Sequence, residues 1–286
     1  MNLNIMRNRW TRCGLAAVGL FTGIASGQES SELVGLINAF RSEPQSCQGE
    51  RIDAVGPLAP DAALARVKPG AVGNLLEALK EQGYQAARVE AIRVSGPIDA
   101  AAVMQQVRQR YCRQLLSQQY AQIGVSRTGV AWQILLARPV VSAGLAEWGQ
   151  AGREILRLTN SARAQARTCG DRRFSAAPPL TWIPDLGAAA RAHSQDMANR
   201  NYFRHRGDDG SEVGDRASDQ GYRWRQVGEN IAAGQGSAEQ AVLAWLSSPP
   251  HCANIMKPEY AHMGAAYAVN PNSDSTIYWT QVFGAR

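Results

Sequence analysis

The stretch from Leu158 to Leu180, LTNSARAQARTCGDRRFSAAPPL, occurs in an earlier form in the same chain: LINAFRSEPQSCQGERIDAVGPL, from Leu36 to Leu58. Laid together without a gap, they share Leu36/Leu158, Asn38/Asn160, Arg41/Arg163, Cys47/Cys169, Arg51/Arg173, Ala54/Ala176, Pro57/Pro179 and Leu58/Leu180. The match resumes at EQGYQAARV (81–89) against DQGYRWRQV (219–227), and again at YCRQLLSQQYAQIGV (111–125) against HCANIMKPEYAHMGA (251–265). Both series end on an aromatic β-type segment, VAWQILLAR (130–138) and IYWTQVFGAR (277–286). Matches that keep this order read as two tandem copies of one pattern. The copies occupy 28–140 and 148–286, with a junction near Pro139–Gly149, where Gly144 and Gly149 supply turn residues.

The residues ahead of the first copy read as an export signal spanning 1–27. Arg7, Arg9 and Arg12 precede the apolar run Gly14–Ile24, and the small residues Ala25-Ser26-Gly27 follow it. Eleven residues rise only about 16 Å as a helix, roughly half of a bilayer core, so a membrane anchor is the poorer reading. No later stretch is long enough to span a membrane. The formal charge of +6 falls by half without the three leader arginines. Neither copy then carries a field that favours nucleic acid.

Cys13 lies in the leader, which leaves Cys47, Cys112, Cys169 and Cys252. An even count in an exported chain suggests two disulfides, and four cysteines allow three pairings. Each copy holds one early and one late cysteine, so the repeat selects Cys47–Cys112 and Cys169–Cys252.

Apolar spacing of three and four predicts helices over Gly152–Ala166 and Asp185–Asn199, the latter with Leu186, Ala189, Ala190, His193 and Met197 inward. Ser237-x-x-Gln240 reads as a capping box opening a helix with Val242 and Trp245. Gly264–Val269 and Ser275–Val282 read as strands around the turn cluster Asn270–Asp274. The class is α+β, with small antiparallel sheets covered by helices.

The second copy also carries, in order, YFRHRGDDG (202–210), DR (215–216), GY (221–222), VGENIAAG (227–234) and AWLSSPPHCANIM (244–256), followed by MGAAYA and IYWTQVFG. Over about residues 150–286 this resembles the CAP superfamily of cysteine-rich secretory proteins, insect antigens, plant pathogenesis-related proteins and bacterial relatives. The resemblance implies an α-β-α sandwich with a cavity lined by His205, Glu229 and His251. Many relatives add a glutamate three residues after the helix tryptophan. Here that position is Ser248, and Pro250 replaces the usual glycine before the histidine. Residues 30–138 then look like a degenerate second copy, making the chain a tandem of such sandwiches. In the first copy sixteen residues are missing, including the place of His205, Tyr111 stands where His251 would be, and Glu90 matches Glu229 after a one-residue deletion.

Two imidazoles and one carboxylate form a plausible set for a divalent cation such as zinc with an open position. The other reading is a buried network in which Glu229 holds both imidazoles. His193 reads as a core or cavity-edge histidine and His262 as a solvated turn residue. Asp208 and Asp209 read as a turn, Ser247 and Ser248 as helix-end residues, and Arg216 and Tyr222 as loop packing. The expected function is an exported, periplasmic or extracellular, non-enzymatic binding module. The resemblance implies lipids, sterols or envelope proteins as partners. One alternative is a metal-assisted hydrolase with His205 and His251 as ligands and Glu229 as general base. The other is a structural envelope protein with a vestigial cavity.

Overall fold

The computed structural model describes residues 22–68, 75–140 and 144–286. Most of the expected leader, and residues 141–143 of the expected junction, lie outside them. The first helix runs through Gly27, the expected cleavage position, without a break.

The first half contains α1 (Thr22–Arg41), the ribbon β1 (Gln45–Cys47) and β2 (Glu50–Ile52), then β3 (Ala59–Pro60) and α2 (Ala62–Arg66). It continues with α3 (Leu75–Glu81), β4 (Ala86–Ser95), α4 (Ala100–Arg110), α5 (Cys112–Leu115), β5 (Gln122–Thr128) and β6 (Ala131–Pro139). The second half contains α6 (Trp148–Arg163), the ribbon β7 (Arg167–Cys169) and β8 (Arg172–Phe174), then β9 (Thr181–Trp182) and α7 (Pro184–Arg200). It closes with α8 (Val213–Asp219), β10 (Gln226–Ala233), α9 (Ala238–Leu246), α10 (Pro249–Met256), β11 (His262–Val269) and β12 (Ile277–Ala285). Two four-stranded sheets result, ordered β4-β6-β5-β3 and β10-β12-β11-β9. Both are mixed, because β3 and β9 run parallel to β5 and β11 while the other pairs are antiparallel. The expectation of purely antiparallel sheets is corrected on this point: each short edge strand enters from the far side of the sheet.

The shared residues of the two halves make the same contacts. Asn38 brackets Leu58, donating from Nδ2 to its carbonyl at 3.0 Å and accepting from its N–H at 2.8 Å. Asn160 brackets Leu180 at the same two distances. Arg41 is fully buried and donates to the carbonyls of Gly56, Leu115, Ser117 and Tyr120. Arg163, also fully buried, donates to those of Pro178, Ile255, Lys257 and Tyr260. Neither guanidinium has a carboxylate partner among the described residues. Each is held by loop carbonyls that would otherwise be unpaired, which is why the residue type persists. Burial lowers both pKa values, that of Arg41 to about 9.

Close packing of helix on sheet also repeats. A Cβ on Gly264 would lie 2.0 Å from the Gly187 nitrogen, and one on Gly124 would lie 2.3 Å from the Leu64 Cβ. Only glycine lets α7 approach β11, and α2 approach β5, so nearly. The helices differ in length: α7 has 17 residues and α2 has 5. Much of the sixteen-residue difference therefore comes out of this helix. Disulfides join Cys47 to Cys112 and Cys169 to Cys252.

The register of β4 corrects one residue assignment. Glu229 pairs with Val282 in β12, and the residue at the same place beside β6 is Ala91, opposite Leu135. Glu90 falls instead at the position of Gly228, opposite Leu136. No residue is deleted there, and a one-residue offset turns a strand side chain to the other face. Glu90 accepts from the Tyr120 hydroxyl at 2.6 Å.

Candidate functional site

Glu229 projects from the centre of β10 with its side chain only 2% exposed. Both carboxylate oxygens are engaged: Oε1 lies 2.8 Å from His205 Nδ1, and Oε2 accepts from Arg216 Nη2 at 2.7 Å. His193 Nε2 approaches Oε1 to 3.7 Å. Burial alone would raise the Glu229 pKa. The hydrogen bond from His205 and the charges of His193 and Arg216 outweigh it, and the pKa is held below the ordinary value.

Each neighbour is placed by its own element. His205 sits on the loop between α7 and α8, its side chain 54% exposed. The turn ahead of α8 is closed by Gly210 N–H donating to the Gly207 carbonyl, with Asp209 accepting from the Ser211 N–H. Asp208 binds Arg200 and Arg204, so the two aspartates serve the turn as expected. Arg216, on α8, also donates to the carbonyls of His205 and Ser211. It therefore packs the histidine loop, as expected, and also pins that loop to the carboxylate. His193 is buried on the inward stripe of α7, and its Nε2 faces the Arg204 carbonyl at 3.1 Å. Burial lowers its pKa, against the opposing charge of Glu229.

His251 lies in the first turn of α10, with Nδ1 2.8 Å from the hydroxyl of fully buried Ser248. That hydroxyl has no other partner among the described residues, so its proton goes to Nδ1 and Nε2 carries the ring N–H. Burial pushes the His251 pKa down to about 3, and the charge of His205 adds to the effect. Glu229, ionised, can only accept, so His205 donates to it from Nδ1. Asn230 fixes the relation between their elements. It donates to the His251 carbonyl at 3.2 Å and to Gln281 at 3.1 Å, and Asn254 donates to both Asn230 Oδ1 and the Glu229 carbonyl.

Gly228 precedes Glu229 for a steric reason: a Cβ there would sit 2.2 Å from the Tyr260 hydroxyl, which donates to the Val227 carbonyl. An open cleft of about 250 Å³ adjoins the site, lined by His193, Arg216, Asp196, Asp209, Ser211 and Asp219 among others. Its wall is polar and carries charge of both signs.

The donor set does not fit a metal. Among the described residues no three His, Cys, Asp or Glu side chains are grouped so as to hold an ion. His205 and Glu229 meet, but both Glu229 oxygens are in use, and one faces a guanidinium whose charge repels a cation. His262 is also corrected. It is the first residue of β11 rather than a turn residue, half-buried, with Nδ1 2.8 Å from the Tyr222 hydroxyl. Ser247 caps the end of α9 and Ser248 the start of α10, as expected. Of the capping box, Ser237 accepts from the Gln240 N–H, while Gln240 accepts from Gly236. No described helix is long and apolar enough to cross a membrane.

Residues 156–283 match the family model described as "Cysteine-rich secretory protein family". The chain is 34% identical over 131 residues to the uncharacterized protein YkwD of Bacillus subtilis, covering 46% of each chain. It is 30% identical over 112 residues to the uncharacterized membrane protein YlbC of the same organism, covering 39% of this chain and 30% of that protein. The match thus spans less than half of either relative. An extracellular SCP-domain protein from Bacillus anthracis aligns at TM-score 0.41 and 23% identity, covering 55% of this chain and 52% of that one. The motifs around His205, Glu229 and His251 fall within the matched segment, and residues 156–283 are a domain of the cysteine-rich secretory protein family.

Proposed function

We propose that the chain is an exported binding module, and that the cavity of its second half recognises a small polar group, such as a hydroxyl or carboxyl, through His205 and His251. One observation carries this reading. Glu229 and Ser248, both buried, engage Nδ1 of His205 and of His251 respectively, which leaves both Nε2 atoms without a partner among the described residues. The cleft that reaches Glu229's partners His193 and Arg216 is polar, which argues against an apolar tail as the main recognition element. Export is supported by two disulfides and by the basic-then-apolar leader pattern.

In this reading residues 28–140 are a degenerate copy of the domain in 148–286. The common strand order, the paired Asn and Arg clamps and the corresponding disulfides support it. The first copy lacks both histidines and cannot make the same contact. Saturation-transfer NMR with short hydroxy acids and simple sugars tests the proposal. Binding should be lost in His205→Ala and in His251→Ala. Binding that survives both, or confined to long-chain lipids, overturns it.

A second reading rests on the His205–Glu229 contact, because a buried carboxylate on Nδ1 is also how a general-base imidazole is oriented. Here His205 would be the base. Glu229 has no free oxygen for that role. Ester hydrolysis abolished by His205→Ala would favour an enzyme over a binding module.

A further inference from the structure

Three contacts cross from the first half to the segments that carry the cavity. Asn38 Nδ2 donates to the Ser247 carbonyl at 3.2 Å and lies 3.1 Å from its hydroxyl, which is within 3.2 Å of the Leu58 carbonyl and nearer to the Leu243 and Ala244 carbonyls of its own helix, at 2.8 and 3.0 Å. Ser247 immediately precedes Ser248, the residue that sets the tautomer of His251. The ring of Phe203 rests on the backbone of Gly56, where an added Cβ would meet its Cζ at 3.4 Å. Phe203 is two residues before His205. Gln235, fully buried just past the end of β10, donates from Nε2 to the Pro57 carbonyl at 2.8 Å and the Ala121 carbonyl at 3.3 Å. That strand carries Glu229.

We infer that the first half is a resident positioning partner for the cavity of the second: Asn38, Gly56 and Pro57 fix the segments that hold His251, His205 and Glu229. The inference rests on the cavity reading above, but it concerns geometry and not what the cavity binds. Asn38 shows how the role is divided. One N–H of its amide closes the Leu58 bracket inside its own half, and the other is left for Ser247. The equivalent Asn160 makes only the internal bracket among the contacts observed here. A half that has lost its own histidines therefore keeps a face that serves its neighbour's.

The test uses the full chain and reads the four histidine rings by long-range ¹H–¹⁵N correlation, which reports the tautomer of each. Gly56→Leu fills the seat of Phe203, and Ser247→Ala removes the hydroxyl held by Asn38 and Leu58; neither residue lines the cavity. The expected result is a shift of His205 away from its Nδ1–H form in Gly56→Leu, and of His251 away from its Nε2–H form in Ser247→Ala. His262, bonded to Tyr222 at the far end of β11, keeps its wild-type signal. Phe203→Ala in the Gly56→Leu background makes room for the new side chain and restores His205. If His205 and His251 keep their wild-type tautomers in both variants, the contacts are packing alone and the inference is overturned. Should all four rings change together, the variant has unfolded. Gly56→Ala, whose methyl meets the ring at ordinary contact distance, then replaces it and is judged by the same two results. Ligand binding is not measured, so failure of the binding proposal leaves this outcome readable.

Discussion

One nitrogen of Arg216, Nη2, bonds both the Glu229 carboxylate at 2.7 Å and the His205 carbonyl at 3.0 Å. The acid and the loop of its imidazole partner are thereby held by a single guanidinium, itself 9% exposed.

Removing that guanidinium leaves a buried carboxylate without its permanent cation. Arg216→Leu should destabilise the protein by about 3 kcal/mol, the range for breaking a buried pair from one side. Arg216→Leu combined with Glu229→Gln should cost less than the two single changes together, as expected for partners in contact. Urea denaturation measures both. A loss under about 1 kcal/mol for Arg216→Leu would place the pair with exposed salt bridges instead.

Acid should weaken the fold through the histidines before it reaches the carboxylates. His251 has a folded pKa near 3 against an ordinary 6.5, so the unfolded chain binds the proton first. Stability contributed by neutral His251 is present above 6.5 and is lost as pH falls from there towards 3. Glu229, with a lowered pKa, acts in the same sense below the ordinary glutamate value. Denaturation midpoints in urea between pH 7 and pH 4 should fall, and should fall less in His251→Gln. Identical slopes for the two proteins would show that His251 is not the group concerned.

Zinc offers a sharp comparison with the ligand set expected from sequence. Calorimetric titration of zinc into the full chain at micromolar protein should give only heats of dilution, because Glu229 is committed to Arg216 and His205. The chain should also remain folded in EDTA. Stoichiometric zinc binding lost in both His205→Ala and His251→Ala would restore the metal reading.

The two disulfides close separations of 65 and 83 residues. In the chain-entropy model each stabilises by roughly 4 kcal/mol. Paired Cys→Ala changes at 47 and 112, or at 169 and 252, should each lower the midpoint of thermal unfolding. Peptide mapping without reduction should recover Cys47 with Cys112. A Cys112–Cys169 peptide would contradict both the pairing and the division into halves.

What could be read in advance was whatever recurs in both halves or has a short period. The stripe on α7 appears as residues three and four apart, and the twin clamps as identical residues at fixed offsets. Arg216 gave no such signal: it lies on a seven-residue helix, and its partner is thirteen residues away on a strand. The hint was an arginine between Gly214 and Ala217, two residues that turn inward with it. His262 was misplaced because β11 begins two residues earlier than its apolar run, extended by parallel pairing of His262 with Thr181 and Met263 with Trp182. Glu90 fell one register step from the assigned position. A deletion and a substitution leave the same local spelling, and only the pairing with β6 distinguishes them.

Arg41 and Arg163 have a consequence for time as well as for structure. Arg41 reaches carbonyls 74 to 79 residues ahead, and Arg163 carbonyls 92 to 97 ahead. Such distant closures must await collapse of the intervening chain, because the entropy of loop closure has to be met first. The two guanidiniums therefore act as late-setting fasteners. Their loss should speed unfolding many-fold while leaving the refolding limb of a chevron almost unmoved. Stopped-flow measurements on Arg163→Met would expose the opposite order at once, as a slowed refolding limb. If the fasteners set late, the lifetime of the native state is governed by two side chains remote from the cavity.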